Sequence, residues 1–448
     1  MTQAKALEVM LSGINVFLTG PPGSGKSYVL ERFINLSRNR GRNVAVTATT
    51  GIAASIIGGT TIHAWSGLFN ANAKLATPGQ AVLKRVQQAD VLIIDEISML
   101  GAAWLDILNL RLKTLRRQTK AFGGLQVILS GDFFQLPPIG KGQAAAYAFM
   151  AEAWQELSLQ ACYLSEQHRQ TDDGLRRLLQ AMRSADVNLK DLGVLLDRQV
   201  TPKRDITVLL THNRDVDRVN HERLNRLSGD LRIYEMAMSG HREALIELQH
   251  SVVAPQRLYL KSGAKVMFTA NDLSLGYANG SIGSVIGFNH GFPVVVIDSS
   301  GLKLRVEPKQ WSMTIDEHTI AKISQLPLRL AWAVTIHKCQ GMSLDAAEVD
   351  LSRSFTYGMG YVALSRVKSL NGLYLRGFNS RSLEMDPAVK QFDQKIKKLS
   401  GKIDSVMPVK LNDPNNSLAN VLYRAGASRQ LIKLSTGLSE EELKKILK

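Results

Sequence analysis

The chain has 448 residues, of which 45% are hydrophobic, so it is long enough for roughly two to four folded units with ordinary cores. No apolar run approaches a membrane span, the start lacks a signal-peptide pattern, and two distant cysteines exclude a disulfide framework, so we expect a cytoplasmic protein without membrane contact. Lys and Arg exceed Asp and Glu by 55 to 39, a net charge of +16, which fits a polyanionic partner but also an ordinary solvated basic surface.

The first 170 or so residues alternate short apolar runs with helical patterns. Strand-like runs fall at residues 14–18, 43–47, 91–94 and 125–129, and helical patterns fall at residues 27–38 and 102–117. Apolar strands that alternate with helices are typical of a parallel sheet covered on both faces. We therefore predict that residues 1–170 form one α/β domain.

The rest of the chain changes character twice. A charged amphipathic helix begins near Gly174 and leads to a strand at residues 206–210, whereas residues 235–325 carry short alternating runs divided by Asn-Gly turns, a pattern typical of antiparallel hairpins. The α/β pattern returns and ends with a strand at residues 372–376. The sequence therefore predicts a small β domain inserted into a second α/β domain. The tail from residue 386 is polar and helical, and we assign it no role.

A phosphate-binding loop is predicted at residues 20–27, which fit the pattern G-x-x-x-x-G-K-S between a strand and a helix. This arrangement points backbone N–H groups and the positive end of a helix at bound phosphates. Lys26 would reach the β- and γ-phosphates of ATP, and the Ser27 hydroxyl would hold Mg²⁺. The predicted ATP-binding residues of the loop are Gly20, Pro22, Gly23, Ser24, Gly25, Lys26 and Ser27.

Two further strands end in polar side chains that suit ATP hydrolysis. The strand at residues 91–94 runs into Asp95 and Glu96, at the sheet edge where ligands of α/β proteins bind. Beside a phosphate loop we expect Asp95 to hold Mg²⁺ and Glu96 to polarise the attacking water, although alone this pair would be an ordinary helix cap. Gln135 follows the next strand, where its amide can detect the γ-phosphate or simply form part of a turn.

Hydrolysis also needs a positive side chain that stabilises negative charge on the terminal phosphate in the transition state, and an inserted arginine can raise the rate about 10³- to 10⁵-fold. Arg169 lies at the junction of the two α/β domains, and Arg366 lies in the second. The residue types alone also allow a surface position for both arginines.

A longer series of segments resembles superfamily 1 DNA helicases of the Pif and RecD type, and most closely the Pif (petite integration frequency) branch. In family order these segments are residues 51–54, 58–63, 95–99, 131–138, 279–283, 325–333, 335–341 and 361–367. The resemblance covers residues 1 to about 385. It implies two RecA-like domains, the first at residues 1–170 with a short wedge at about residues 69–80, and the second at residues 171–234 and 326–385 with an SH3-like domain at residues 235–325.

The resemblance implies an ATP- and Mg²⁺-dependent helicase that moves 5′ to 3′ on single-stranded DNA and unwinds tailed or forked duplexes as a monomer, in a bacterial or phage-infected cell. It implies that Gln3 recognises adenine, that Gln135 couples the γ-phosphate to DNA, and that Arg169 and Arg366 are arginine fingers. The implied DNA contacts are Thr49, Gly51, Thr61, His63, Trp65, His337, Lys338 and Ser343.

Several alternatives stay open at this stage. The two histidines suit structural positions as well as DNA contacts, and Trp65 suits a core position as well as base stacking. Met359 stands where the family usually has glutamine, and Ser343 where it has threonine. A DNA-stimulated ATPase that displaces bound proteins and a phosphate-loop ATPase that acts on proteins are alternative functions. The sequence does not choose among forks, G-quadruplex DNA and RNA–DNA hybrids as substrates.

Overall fold

The computed structural model describes residues 1–68, 79–138, 146–166, 172–203, 205–272, 274–277, 279–315 and 318–406. Most of the predicted wedge at residues 69–80, Arg169 and the tail beyond residue 406 lie outside the described residues. Within the described ranges, no helix has both the length and the apolarity needed to cross a bilayer.

The first part of the chain alternates helices and strands as predicted. Its elements are α1 (Gln3–Leu11), β1 (Val16–Thr19), α2 (Lys26–Asn39), β2 (Val44–Ala48), α3 (Gly51–Ile56), β3 (Thr60–Thr61), α4 (Ile62–Ser66), α5 (Gln80–Gln88), β4 (Val91–Asp95), α6 (Ala102–Arg116), β5 (Gln126–Ser130), α7 (Glu152–Glu156) and β6 (Gln160–Tyr163). The strands form one parallel sheet in the order β3-β2-β4-β5-β1-β6. Strands β1, β4 and β5 are buried along their whole length, as expected where helices cover both faces.

The second part contains a parallel sheet and an antiparallel insertion. Its elements are α8 (Asp173–Ser184), α9 (Leu189–Leu196), β7 (Val208–Leu210), α10 (Asn213–Arg226), β8 (Arg232–Glu235), β9 (Ala237–Gly240), α11 (Arg242–Ser251), β10 (Arg257–Leu260), β11 (Lys265–Phe268), β12 (Ile282–Asn289), β13 (Phe292–Ile297), β14 (Lys303–Arg305), β15 (Lys309–Ile315), β16 (His318–Gln325), β17 (Leu328–Leu330), β18 (Ala333–Thr335), β19 (Ala347–Leu351), α12 (Met359–Leu364), β20 (Leu373–Phe378), α13 (Ser380–Leu383) and α14 (Pro387–Val406).

Along the chain, the antiparallel strands lie between two strands of the second parallel sheet. Strands β18, β7, β19 and β20 form a parallel sheet in that order. The chain between β7 and β18 contributes a five-stranded sheet, β14-β13-β12-β11-β17, a three-stranded sheet, β15-β16-β9, and the pair β10-β8, all antiparallel. Helix α11 was not predicted, and it packs on β16 through Ala244 and Leu248.

Helix α14 returns from the second sheet to pack on the first, next to β6. The Phe392 ring stacks on the Phe149 ring at 4.1 Å between centroids, and the Ser400 hydroxyl accepts a hydrogen bond of 3.0 Å from the Tyr163 amide. Val389, Phe392 and Ile396 recur at helical spacing on the buried face. This part of the tail therefore belongs to the folded core, which the polar composition of the tail as a whole had concealed.

Candidate nucleotide site and single-strand face

A cavity of about 300 Å³ lies between the carboxyl edge of the first sheet and the second unit. It is lined by Pro22, Gly23, Gly25, Lys26, Ser27, Ala53, Ile56, Asp95, Glu96, Gln135, Gly341 and Arg366. Sequence patterns more than 300 residues apart therefore meet in one place. The residues that follow β1, β4 and β5 meet because parallel strands deliver their carboxyl ends to the same edge of a sheet, and the second unit adds Gly341 and Arg366.

The loop at residues 20–27 is curled around the position where phosphates would lie. Gly25 has a φ of 86° and precedes α2, whose first turn therefore leaves its N–H groups free to face an anion. The Lys26 ammonium donates to the carbonyl oxygens of Gly20 at 2.8 Å and Pro21 at 3.2 Å. Burial lowers the pKa of Lys26, and the negative charges of Asp132 and Glu96 oppose that shift.

Gln3 lies against the phosphate loop from α1. Its Nε2 donates to the Ser24 carbonyl oxygen at 3.1 Å, and a Cβ at position 25 would lie 2.1 Å from the same nitrogen. Glycine at position 25 is favoured by its φ of 86°, and a larger residue there would also displace the Gln3 amide from the loop. The Ser24 hydroxyl is buried without a hydrogen-bond partner in the described part of the chain, as would suit a group that awaits a ligand.

The two carboxyls after β4 are buried side by side. Glu96 has a left-handed φ of 53°, a strained conformation that non-glycine residues adopt mainly where surrounding contacts enforce it. Burial raises the pKa of Asp95, and burial together with the Asp95 charge raises the pKa of Glu96 to about 6. Nε2 of Gln340 donates to Oε2 of Glu96 at 3.0 Å and partly offsets the shift.

Gln135 and Arg366 line the cavity from the first and second units respectively. Gln135 is 5% exposed, and its Oε1 is buried without a partner among the described residues. Arg366 is 1% exposed and lines the cavity while its guanidinium donates to the Val362 carbonyl at 2.9 Å and the Ser365 hydroxyl at 2.7 Å. Its position is therefore fixed by α12, which excludes the surface alternative.

The structure adds Gln340 to the site, which the motifs did not single out. This residue lies in the segment at residues 335–341 that was quoted for the resemblance, but its amide had no assigned partner. The hydrogen bond to Glu96 joins residues 244 positions apart in the chain. Only the folded arrangement of the two parallel sheets shows this contact.

The predicted DNA contacts of the first unit have mixed positions. The Thr49 hydroxyl donates to the Glu96 carbonyl at 2.9 Å, and Gly51 begins α3. Thr61 caps α4, accepting from the Ala64 amide at 3.2 Å. His63 and Trp65 differ in their exposure. The His63 ring is half-buried, with its centroid 5.0 Å from that of the Trp104 ring, whereas Trp65 is 6% exposed within the hydrophobic core.

Trp65 is buried in the hydrophobic core, so its ring has no open face on which a DNA base could stack. Of the two positions that the sequence allowed for Trp65, the structure therefore shows the core position. The tryptophan packs inward because α4 must cover the edge of the first sheet, and a pattern of five residues does not reveal which face that is. Burial lowers the pKa of His63, which keeps its imidazole neutral at neutral pH.

In the second unit, an aromatic group of three residues was only partly predicted. The His337 ring stacks on the Phe355 ring at 6.2 Å and 17°, and the His212 ring lies 5.1 Å from Phe355. Phe355 is 56% exposed, although large apolar rings normally avoid water. Burial lowers the pKa of Lys338, and Ser343 is exposed at a second cavity of about 860 Å³ beside the antiparallel insertion.

Comparison with known proteins identifies the family. The family model of the PIF1-like helicase matches residues 3–186. The chain is 39% identical to the ATP-dependent DNA helicase Pif1 of Psychrobacter sp., over 89% of this chain and 71% of that protein. It spans 61–64% of the length of the vertebrate relatives that it matches.

Solved structures give the same result. The chain is similar to the Pif1 helicase from Candida albicans, with a TM-score of 0.76 and 32% identity over 88% of this chain and 98% of that one. It is also similar to the Pif1 helicase from Bacteroides in complex with ADP-AlF3 and ssDNA, with a TM-score of 0.68 and 29% identity over 89% and 98% of the two chains. With relatives this similar across most of its length, the chain belongs to the PIF1-like helicases, a family of ATP-dependent DNA helicases.

Proposed function

We propose that this chain hydrolyses ATP to move 5′ to 3′ along single-stranded DNA and to separate tailed or forked duplexes. The observation that carries the proposal is the cavity where Arg366 of the second unit meets four residues of the first, which are Lys26, Asp95, Glu96 and Gln135. A nucleotide held between two units can change their relative position when its γ-phosphate is lost. We also propose the domain division predicted from the sequence, with RecA-like domains on either side of this cavity.

For hydrolysis, we propose that Glu96 accepts the proton of the attacking water. Its pKa of about 6 leaves the carboxylate ionised at neutral pH and close to the range in which a general base is most effective. The hydrogen bond from Gln340 fixes the carboxylate and belongs to the second unit, so the base is held in place only where the two units meet. Gln135, whose Oε1 has no hydrogen-bond partner within the described ranges, would orient the water or contact the γ-phosphate.

The donor set of the cavity fits Mg²⁺. Ser27 and Asp95 present a hydroxyl and a carboxylate to the same cavity, and protein sites usually bind Mg²⁺ through one or two such oxygen ligands plus substrate phosphates. Bound Mg²⁺ would neutralise charge on the β- and γ-phosphates. Lys26 would bind the same phosphates from the loop, and Gln3 would contact the adenine.

Arg366 is the proposed arginine finger, because among the residues that the structure describes it is the cationic side chain that lines the cavity from the second unit. A guanidinium held by backbone carbonyls is in place before ATP arrives, which is the arrangement that stabilises developing charge at least cost in reorganisation. Arg169 remains a second proposed finger from the sequence alone.

We propose that the strand runs past His337 and the exposed Phe355 ring. An exposed aromatic ring, stacked on the imidazole of His337 and next to that of His212, offers the sequence-tolerant platform that single-strand binders use. Thr49, Gly51, Thr61, His63, Lys338 and Ser343 are proposed as the other contacts. Thr49 would link DNA to hydrolysis directly, because its hydroxyl donates a hydrogen bond to the backbone carbonyl of Glu96, the proposed base.

We further propose that the chain acts as a monomer on nucleoid DNA, with G-quadruplexes among its substrates.

The test is the rate of ATP hydrolysis with and without single-stranded DNA. We expect stimulation by DNA of any sequence and loss of stimulation as salt rises, because phosphate contacts release counterions. Protein-displacement assays distinguish the alternative function. Stimulated hydrolysis that removes bound streptavidin but opens no duplex would make this chain a translocase rather than a helicase. Hydrolysis indifferent to DNA would reject both.

A further inference from the structure

Arg183, near the end of α8, is buried between the two units and fully engaged. Its Nη1 donates to both carboxylate oxygens of Asp132, at 2.8 and 2.7 Å, and to the Tyr361 hydroxyl at 2.8 Å. Its Nη2 donates to the Tyr163 hydroxyl at 2.9 Å and to Oδ1 of Asp393 at 3.1 Å. One guanidinium therefore contacts four side chains from separate parts of the chain.

These partners lead directly to the cavity. Asp132 stands three residues before Gln135, in the turn after β5. Tyr361 lies on α12, whose backbone carbonyl at Val362 holds the Arg366 guanidinium. Asp393 lies on α14, the helix that crosses back to the first sheet. Arg183 thus connects the turn that carries Gln135, the helix that holds Arg366 and the C-terminal helix.

The turn and α12 also touch through their backbones. Gly358, with a φ of +74°, precedes α12, and a Cβ there would lie 2.4 Å from the Phe134 carbonyl oxygen and 2.7 Å from that of Gln135. The Tyr361 hydroxyl donates to Oδ2 of Asp132 at 3.2 Å. The turn that carries Gln135 and the start of α12 therefore pack against one another next to Arg183.

The charges around Arg183 are balanced. Asp132 and Asp393 are opposed by Arg183 itself and by Lys397, whose Nζ lies 2.8 Å from Oδ2 of Asp393. Arg183 and Asp132 are buried, whereas the Lys397 side chain is about half exposed. A buried ion pair adds little net stability, but the loss of one member leaves an uncompensated charge. A planar guanidinium suits this role because its two terminal nitrogens lie against different partners, whereas lysine has a single nitrogen. Nη1 contacts Asp132 and Tyr361, and Nη2 contacts Tyr163 and Asp393.

We propose that Arg183 is a positioning residue for ATP hydrolysis, which keeps Gln135 and Arg366 in register across the cavity, and that α14 takes part through Asp393. The inference rests on the proposed function and extends it to a helix outside the segments of the family resemblance. Arg183 and Asp132 affect Lys26 of the phosphate loop through their charges, which oppose one another there. Because Arg183→Lys keeps the positive charge and Asp393 is not among the charges that act on Lys26, we expect these changes to affect ATP binding little. The transition state needs both Gln135 and Arg366, so its stabilisation depends on their register.

The test compares two acidic residues of the same region, Asp393→Asn and Asp386→Asn. Asp386 anchors the start of α14 by accepting a hydrogen bond of 3.0 Å from the Tyr147 hydroxyl, but it makes no contact with Arg183. We expect D393N to lower the DNA-stimulated kcat for ATP about fivefold to tenfold while KM changes less than about twofold. D386N should keep kcat within about twofold. The melting temperature of each variant shows whether a lower kcat comes from a destabilised fold or from a changed relative position of Gln135 and Arg366.

Two further variants test the route through Arg183. R183K should lower kcat more than D393N, and the double variant should lose no more than R183K alone, because Asp393 acts through Arg183. D393E should restore part of the rate. Equal effects of D393N and D386N, additive losses, or a loss confined to KM would overturn the inference. If the wild-type chain hydrolyses no ATP, the proposed function fails instead.

Discussion

The nucleotide cavity and the proposed single-strand face, which comprises the proposed DNA contacts such as His337, Phe355 and Ser343, place opposite demands on their side chains. In the cavity, Lys26, Glu96 and Arg366 are held by hydrogen bonds to loop carbonyls, to Gln340 and to α12. On the face, Phe355 and Ser343 are exposed. Phosphate chemistry requires charges that are fixed before the transition state, whereas a strand that must slide requires contacts that any base satisfies. Changes in the cavity should therefore cost far more than changes on the face.

The largest effect is expected for Lys26→Ala. The phosphates lose the ammonium that is already drawn into the loop, so ATP hydrolysis should fall by about 10³-fold or more. Lys190→Ala, at an exposed lysine of α9, is the control and should hydrolyse ATP at the wild-type rate. A K26A variant with substantial turnover would remove the loop from the mechanism.

Arg366→Lys should rank second, with kcat about 10²- to 10³-fold lower and nucleotide affinity within about threefold of wild type. Lysine keeps the buried positive charge but not the fork that contacts Ser365 and the backbone while facing the cavity. Binding of a fluorescent ATP analogue and steady-state turnover measure the two quantities separately. Parallel loss of both would argue against a finger.

The third prediction concerns pH. A carboxyl whose pKa is raised is protonated, and useless as a base, below that pKa, so kcat/KM should fall as pH drops through about 6, by about tenfold per unit. The Gln340 hydrogen bond lowers the pKa of Glu96, so Gln340→Ala should move this acid limb to higher pH. If the acid limb of the kcat/KM profile lies at the same pH in Q340A and wild type, a group other than Glu96 causes it.

The smallest effect is expected on the face. Phe355→Ala removes one stacking platform, so the DNA concentration for half-maximal stimulation should rise about tenfold while the maximal rate changes little. Leu189→Ala, at another exposed apolar residue, is the matched control and should leave that concentration unchanged. Fluorescence anisotropy with labelled single strands measures the same loss directly. Equal affinity of F355A and wild type would exclude Phe355 from the track.

The same contrast explains how far sequence reasoning reaches. Lys26, Asp95 and Glu96 were predicted because their chemistry follows from a few adjacent residues and the strand before them. The Gln340–Glu96 and Arg183–Asp393 contacts join residues more than 200 positions apart, so no local pattern reveals them. Trp65 shows that local patterns can also fail at close range, because a helix of five residues does not indicate which of its faces is buried.

Strand separation on tailed duplexes tests the central claim most directly. With ATP and Mg²⁺, a duplex with a 5′ single-stranded tail should be unwound, and a duplex with only a 3′ tail should remain intact. K26A should unwind neither. Unwinding of the 3′-tailed duplex alone would contradict the proposed polarity, and failure on both, despite DNA-stimulated ATP hydrolysis, would contradict strand separation itself.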